Sequence, residues 1–119
     1  MAEEAVTTPD LLADETPIGY ADYKSLARLA YAESDGLRRL EAKVEAQRKG
    51  LAEASPTTRE RTALACAIGY VVLGRLKDAL TLLEAEPRRT GDLATFTAKA
   101  YLLDQRPAEA LKALEGASS

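Results

Sequence analysis

Apolar residues recur at spacings of three and four from residue 22 onward, which is the period of an α-helix with one buried face. The first such stripe comprises Tyr23, Leu26, Ala27, Ala30 and Tyr31. Further stripes follow Gly36, Pro56, Gly74, Gly91 and Pro107. The pattern predicts an all-α protein of about six helices, arranged as three helical hairpins over residues 22–54, 57–86 and 92–116.

Residues that begin or end helices lie between these stripes. Thr57 and Glu60 have the spacing of a capping box at the start of the third helix, and Asp92 is a candidate N-cap for the fifth. Gly74 is expected to take a left-handed conformation that ends the third helix. Pro107 suits the first turn of the sixth helix, where its missing N–H costs nothing.

Residues 1–19 are rich in Glu, Thr, Asp and Pro, a composition that favours a flexible acidic arm before a helical domain at 20–119. Within the arm, Leu11 and Leu12 form a short apolar patch between acidic residues. Disorder is the expected state of this arm. As alternatives, the patch docks on the domain's own groove or contacts a partner.

Two segments near the end of the chain are similar to each other. A 31-residue shift places Ala67, Tyr70 and Ala79 on Ala98, Tyr101 and Ala110, and the second alanine in each case lies between an acid and a leucine. Self-similarity at this period is typical of stacked helical hairpins. The first hairpin aligns with the second less well, through Tyr31 on Tyr70.

These positions resemble the tetratricopeptide repeat (TPR), a helix-turn-helix unit with small residues at positions 8 and 20, Tyr at 11 and a bulky residue at 24. The matching residues are Ala67, Ala79, Tyr70 and Leu83, and then Ala98, Ala110, Tyr101 and Leu114. The resemblance covers residues 58–117 and implies a right-handed solenoid. Ala63, Cys66, Ala94 and Thr97 depart from the family pattern, and Pro87 comes about four residues early.

The same resemblance implies a concave groove that binds a helical or extended segment of a partner protein. The groove positions that it implies are Arg61, Leu64, Ile68, Val71, Thr95, Lys99 and Leu102. As the alternative, the apolar members of this set are ordinary core residues that the N-terminal hairpin or arm covers. Leu11 and Leu12 are the candidate partner contacts in the arm.

Charge and composition limit the other functions. The chain has 16 basic and 19 acidic residues, so we expect no nucleic-acid or membrane partner. It has no histidine and one cysteine, which favours neither a metal site nor a cofactor nor catalysis. A single cysteine and an acidic N-terminus also favour the cytoplasm.

The expected function is therefore a non-enzymatic adaptor or scaffold that binds another protein. Two alternatives stay open: a dedicated secretion or assembly chaperone, and a regulatory subunit of an enzyme or small GTPase. Leu111 and Leu114 lie on the far side of the last hairpin, and a helical stack needs a cover there. The two leucines would be explained by self-association, by a partner at that side or by truncation of a longer array.

Overall fold

A computed structural model describes residues 10–13 and 16–117 of the chain. Its helices are a 3₁₀ helix at Tyr20–Asp22, α1 (Tyr23–Ala32), α2 (Gly36–Leu51), α3 (Pro56–Val72), α4 (Leu76–Glu84), α5 (Gly91–Leu103) and α6 (Pro107–Ala117). No strand occurs in the described ranges. The prediction of an all-α chain with six α-helices is confirmed.

Two helix starts differ from the sequence prediction. The cap of α3 is Ser55, whose hydroxyl accepts from the Thr58 amide at 3.3 Å, and not Thr57. Pro56 explains the shift, because its fixed φ suits the first helical position and makes the preceding residue the N-cap. At α5 the N-cap is Thr90, and Asp92 lies in the first turn.

Helix α3 is the centre of the domain. Each hairpin packs its two helices together, and α3 also contacts α1, α2 and α5. Every residue from Ala63 to Tyr70 is buried, so this helix is enclosed on all sides, as its weakly amphipathic sequence requires. The molecule is elongated, with extents of 49 × 30 × 28 Å.

Two glycines allow helices to approach closely. A Cβ built on Gly69 of α3 would overlap Val44 Cγ2 of α2. A Cβ on Gly36 would overlap the Ala30 carbonyl oxygen, at the turn between α1 and α2. Neither position has room for a methyl group, so the packing of α2 on its two neighbours depends on glycine there.

The ends of α3 and α5 share one backbone geometry. Gly74 has φ +80°, and Gln105, its counterpart in the next hairpin, has φ +59°. The amide of the following residue, Arg75 or Arg106, donates to a tyrosine carbonyl, that of Tyr70 or Tyr101, at 2.8 Å in both cases. This is the hydrogen bond of a Schellman helix end. The sequence similarity of the two segments is thus also a structural one.

The described part of the expected arm packs on the domain, as in the alternative in which its apolar patch docks on the domain itself. We call residues 10–13 and 16–19 the N-terminal segment. Leu11, Leu12 and Ile18 are buried in the core, and Lys43 of α2, only 1% exposed, donates to the segment's carbonyls. Three apolar side chains and one distant lysine thus make contacts in a stretch that the composition alone assigned to a flexible arm. Residues 1–9 and 14–15 lie outside the described ranges.

Candidate protein-binding surface

The predicted groove residues do not form one open surface. Leu64 and Ile68 are buried, and Val71 is half-buried. Helix α1 and the 3₁₀ helix pack on α3, as the core alternative required. Aromatic rings join these helices to α5. The rings of Tyr20 and Tyr23 pack edge-to-face on the Phe96 ring of α5, with centroid distances of 5.6 and 5.9 Å.

The polar groove positions are dispersed. Arg61 is exposed at the start of α3. Thr95 is half-buried and donates to the Gly91 carbonyl at 3.1 Å, within its own helix. The Lys99 ammonium lies 5.4 Å from the centre of the Tyr23 ring, a cation–π contact that ties α5 to α1. These three side chains therefore do not converge on one ligand position.

Leu11 and Leu12, the expected contacts of the arm, are held inside the domain. The Lys43 ammonium donates to the carbonyls of Leu11 at 2.7 Å, Ala13 at 2.5 Å and Thr16 at 2.7 Å. Arg39 adds an ion pair with Asp10 at 2.8 Å, and this pair lowers the Asp10 pKa. The two leucines face the core of this domain.

Exposed apolar side chains concentrate on the last hairpin. Leu102 is 57% exposed, Leu103 49%, Leu111 68% and Leu114 41%. We call these four residues the terminal face. All four leucines lie on one hairpin, and exposed apolar residues grouped in this way form a candidate interaction surface. Leu102 belongs to the predicted groove, and Leu111 and Leu114 belong to the side expected to need a cover.

The 31-residue self-similarity of the sequence relates the terminal face to a buried surface. The 31-residue shift places Val72, Leu80 and Leu83 on Leu103, Leu111 and Leu114, and the earlier set is buried. Helix α5 packs on both α3 and α4, the hairpin to which the earlier set belongs. The terminal face thus has the apolar pattern of a helix-covered surface. Sequence reasoning identified Leu111 and Leu114 in this way but did not assign Leu103 to this side.

Polar contacts frame the interface between α4 and the last hairpin. The Tyr101 hydroxyl donates to Glu84 Oε2 at 2.7 Å, and Arg106 lies 3.7 Å from the same oxygen. Burial and this contact with a carboxylate raise the pKa of Tyr101. Lys77 pairs with Asp104 at 3.3 Å. Glu84 of the preceding hairpin is thus bound by Tyr101 and by Arg106, which follows the end of α5.

Cys66 is fully buried in α3, where its thiol donates to the Val44 carbonyl at 3.7 Å. Burial raises its pKa to about 12. A thiol with this pKa is protonated near neutral pH, so Cys66 lacks the thiolate that a nucleophile or a metal ligand requires.

Metal-binding and membrane-spanning features are absent from the described residues. In the ranges that the structure covers, no group of three or more His, Cys, Asp or Glu side chains has the arrangement of a metal site. None of the helices there has the length and apolar character needed to cross a membrane.

Comparison with known proteins identifies no relative of this chain. No protein-family model, no curated protein and no solved structure matches it. The resemblance to TPR proteins therefore remains a prediction from the residues.

Proposed function

We propose that this protein is a non-enzymatic protein-binding module, a TPR-like right-handed stack that docks an amphipathic helix of a partner on its terminal face. The observation on which this rests is the 31-residue correspondence between the exposed Leu103, Leu111 and Leu114 and the buried set on the preceding hairpin. A surface with the same apolar pattern should bind the same kind of element, a helix with an apolar stripe.

The internal interface also specifies the chemistry of that helix. The buried side of α5 contains Ala94, Ala98 and Phe96, so small residues permit close approach while an aromatic ring fills the remaining space. Tyr101 and Arg106 then contact Glu84, whose counterpart on α6 is Glu115.

The two ends of the helical array differ, which favours the terminal face as the docking end. At the first hairpin, Leu11, Leu12 and Ile18 of the N-terminal segment already cover apolar surface, which leaves Tyr31 and Leu37 as the exposed large apolar side chains there. A helical stack requires such a cover at each end to stay in solution. The burial of Leu11 and Leu12 also argues against a regulatory subunit that uses them as contacts. The cytoplasm remains the proposed compartment on the sequence evidence.

The chain itself supplies a probe for this proposal. A peptide of residues 90–106, which contains α5, should bind the full-length protein once a side-chain lactam holds it helical, since a free helix of this length is marginal in water. We expect Leu111→Glu to weaken binding by about tenfold or more, because a leucine that the docked helix would cover is replaced by a charge. Fluorescence anisotropy of the labelled peptide measures the affinity.

Leu37→Glu is the matched control, because Leu37 is 40% exposed on the first hairpin and away from the terminal face. It should leave the affinity unchanged, and circular dichroism should show equal helicity in both variants. Equal binding to wild type and Leu111→Glu, or no binding to wild type, would refute the proposal. A wild-type dimer that Leu111→Glu dissociates in sedimentation velocity would make a second copy the occupant instead.

A further inference from the structure

A cavity of about 380 Å³ lies between α2 and α4, away from the terminal face. Tyr70 of α3 lines it, together with the polar side chains Arg48, Arg59, Arg75, Asp78, Thr81 and Glu86. Leu51, Ala52, Leu82 and Ala85 supply its apolar wall. The cavity thus combines an apolar wall with several cationic side chains around one buried tyrosine.

The next hairpin contains the counterpart of this cavity, and there the tyrosine has a partner. A smaller cavity of about 170 Å³ adjoins Tyr101, and the Tyr101 hydroxyl donates to the Glu84 carboxylate at 2.7 Å. The Arg106 guanidinium lies 4.9 Å from the Tyr101 ring centre, and Arg75 lies at the same distance from the Tyr70 ring. The tyrosine–arginine pair is therefore the same at both places.

The two tyrosines differ in whether a carboxylate accepts a hydrogen bond from the hydroxyl. Tyr70 is only 3% exposed and lines the cavity, yet its hydroxyl makes no hydrogen bond to any residue in the described ranges. Such a hydroxyl has a hydrogen bond to offer to a ligand that enters the cavity. Glu45 aligns with Glu84 when Tyr31 is placed on Tyr70, and its charge acts on Tyr70, but it forms no hydrogen bond with the phenol.

Charge also favours an anion in this cavity. Arg59 is neutralised by the buried Glu86 carboxylate, with hydrogen bonds of 2.9 and 3.0 Å. Arg75 pairs with Asp78 at 2.7 Å and with Glu41 at 3.7 Å. Arg48 forms no ion pair with the part of the chain that the structure describes, and the lining's own three arginines and two acids sum to one positive charge.

We infer that this cavity binds a carboxylate of an acidic polypeptide, with the Tyr70 hydroxyl as hydrogen-bond donor and Arg48 as the balancing charge. The carboxylate takes the place that Glu84 has beside Tyr101. An apolar residue next to it in the peptide packs against Leu51 and Leu82. Charge-assisted hydrogen bonds of this kind are the stronger ones, so the carboxylate provides the selectivity. This site is separate from the terminal face.

Three capped dipeptides test the site and distinguish the two sources of a carboxylate. Acetyl-Leu-Glu-amide has a side-chain carboxylate, acetyl-Gln-Leu has a terminal one, and acetyl-Leu-Gln-amide is neutral. Titrations followed by ¹H–¹⁵N NMR of the full-length protein should shift amides around Arg48, Tyr70 and Thr81. We expect at least one acidic dipeptide to bind about tenfold more tightly than the neutral one.

Tyr70→Phe removes only the hydroxyl and should weaken binding of the acidic dipeptide by about tenfold. Arg48→Gln should have an effect of similar size. Tyr101→Phe is the matched control and should bind the dipeptide as wild type does, since the hydroxyl that it loses is already held by Glu84. Glu45→Gln should tighten binding, because it removes a like charge near the phenol.

Three results would overturn the assignment. Equal affinity for acidic and neutral dipeptides would exclude a carboxylate site. If the Tyr70→Phe variant binds with the affinity of wild type, the hydroxyl does not take part in binding. Shifts produced by inorganic phosphate, and not by either acidic dipeptide, would assign the cavity to a different anion.

Discussion

Gly69 lies where α2 and α3 approach each other closely, and its replacement by alanine should destabilise the fold. In Gly69→Ala the new Cβ would overlap Val44 Cγ2 and lie 3.6 Å from Leu40 Cδ1. Val44 is buried and β-branched, so its methyl cannot simply rotate away. Overpacking costs about 1–3 kcal/mol, whereas alanine in a helix interior gains about 0.5–1 kcal/mol over glycine. We expect a net loss of about 1–2 kcal/mol in unfolding free energy.

Gly50→Ala provides the matched control. Gly50 also lies inside a helix, α2, but a Cβ built there meets nothing within 4 Å. This variant should be more stable than wild type by about 0.5–1 kcal/mol, which is the helix-propensity gain alone. Urea unfolding followed by circular dichroism measures both variants on one scale.

The double variant Val44→Ala/Gly69→Ala separates a specific clash from general damage to α3. Val44→Ala alone should cost about 2 kcal/mol, because two buried methyl groups are lost. In the double variant the alanine methyl introduced on α3 enters the vacated space, so the two losses should not add. We expect a favourable coupling of about 1 kcal/mol or more. Additive losses, or a Gly69→Ala variant as stable as Gly50→Ala, would refute the proposed contact between Gly69 and Val44.

Three further predictions concern helix ends, the N-terminal segment and the buried thiol. Gln105→Gly should stabilise the protein by about 0.5–1 kcal/mol, because Gln105 has φ +59°, a conformation that glycine adopts without strain. Gly74→Ala should destabilise it by about 1 kcal/mol, because Gly74 has φ +80°. Thermal melts compare the two variants. Lys43→Met should lower the free energy of unfolding in urea by about 3 kcal/mol, because three backbone carbonyls lose a buried charged donor. Arg39→Gln breaks only a surface ion pair and should lower it by less than about 1 kcal/mol. The folded state raises the Cys66 pKa from 9.0 to about 12, so its contribution to stability is complete below pH 9 and is lost as the pH rises towards 12. Urea midpoints should fall over that range, and fall less in Cys66→Ala; an identical pH profile would contradict this assignment.

The local pattern of the sequence was sufficient to predict the helices. The three- and four-residue spacing of apolar positions and the residues Gly74 and Pro107 determine where helices form, because these effects act within one or two turns. The correspondence of Tyr70 and Tyr101 predicted two similar hairpins, and both tyrosines are buried. Even so, the start of α3 depended on whether Ser55 or Thr57 became the cap.

The tertiary structure alone decided which apolar surfaces are covered. Ile68 and Leu111 are both apolar positions of amphipathic hairpins, yet the first is buried and the second is 68% exposed. Periodicity describes one helix at a time, whereas burial depends on which distant segment packs against it. Leu12 becomes core because Lys43, far along the chain on α2, holds the surrounding backbone carbonyls. No residue in the described part of the chain accepts from the Tyr70 hydroxyl for the same reason, because a partner for it would have to come from another helix.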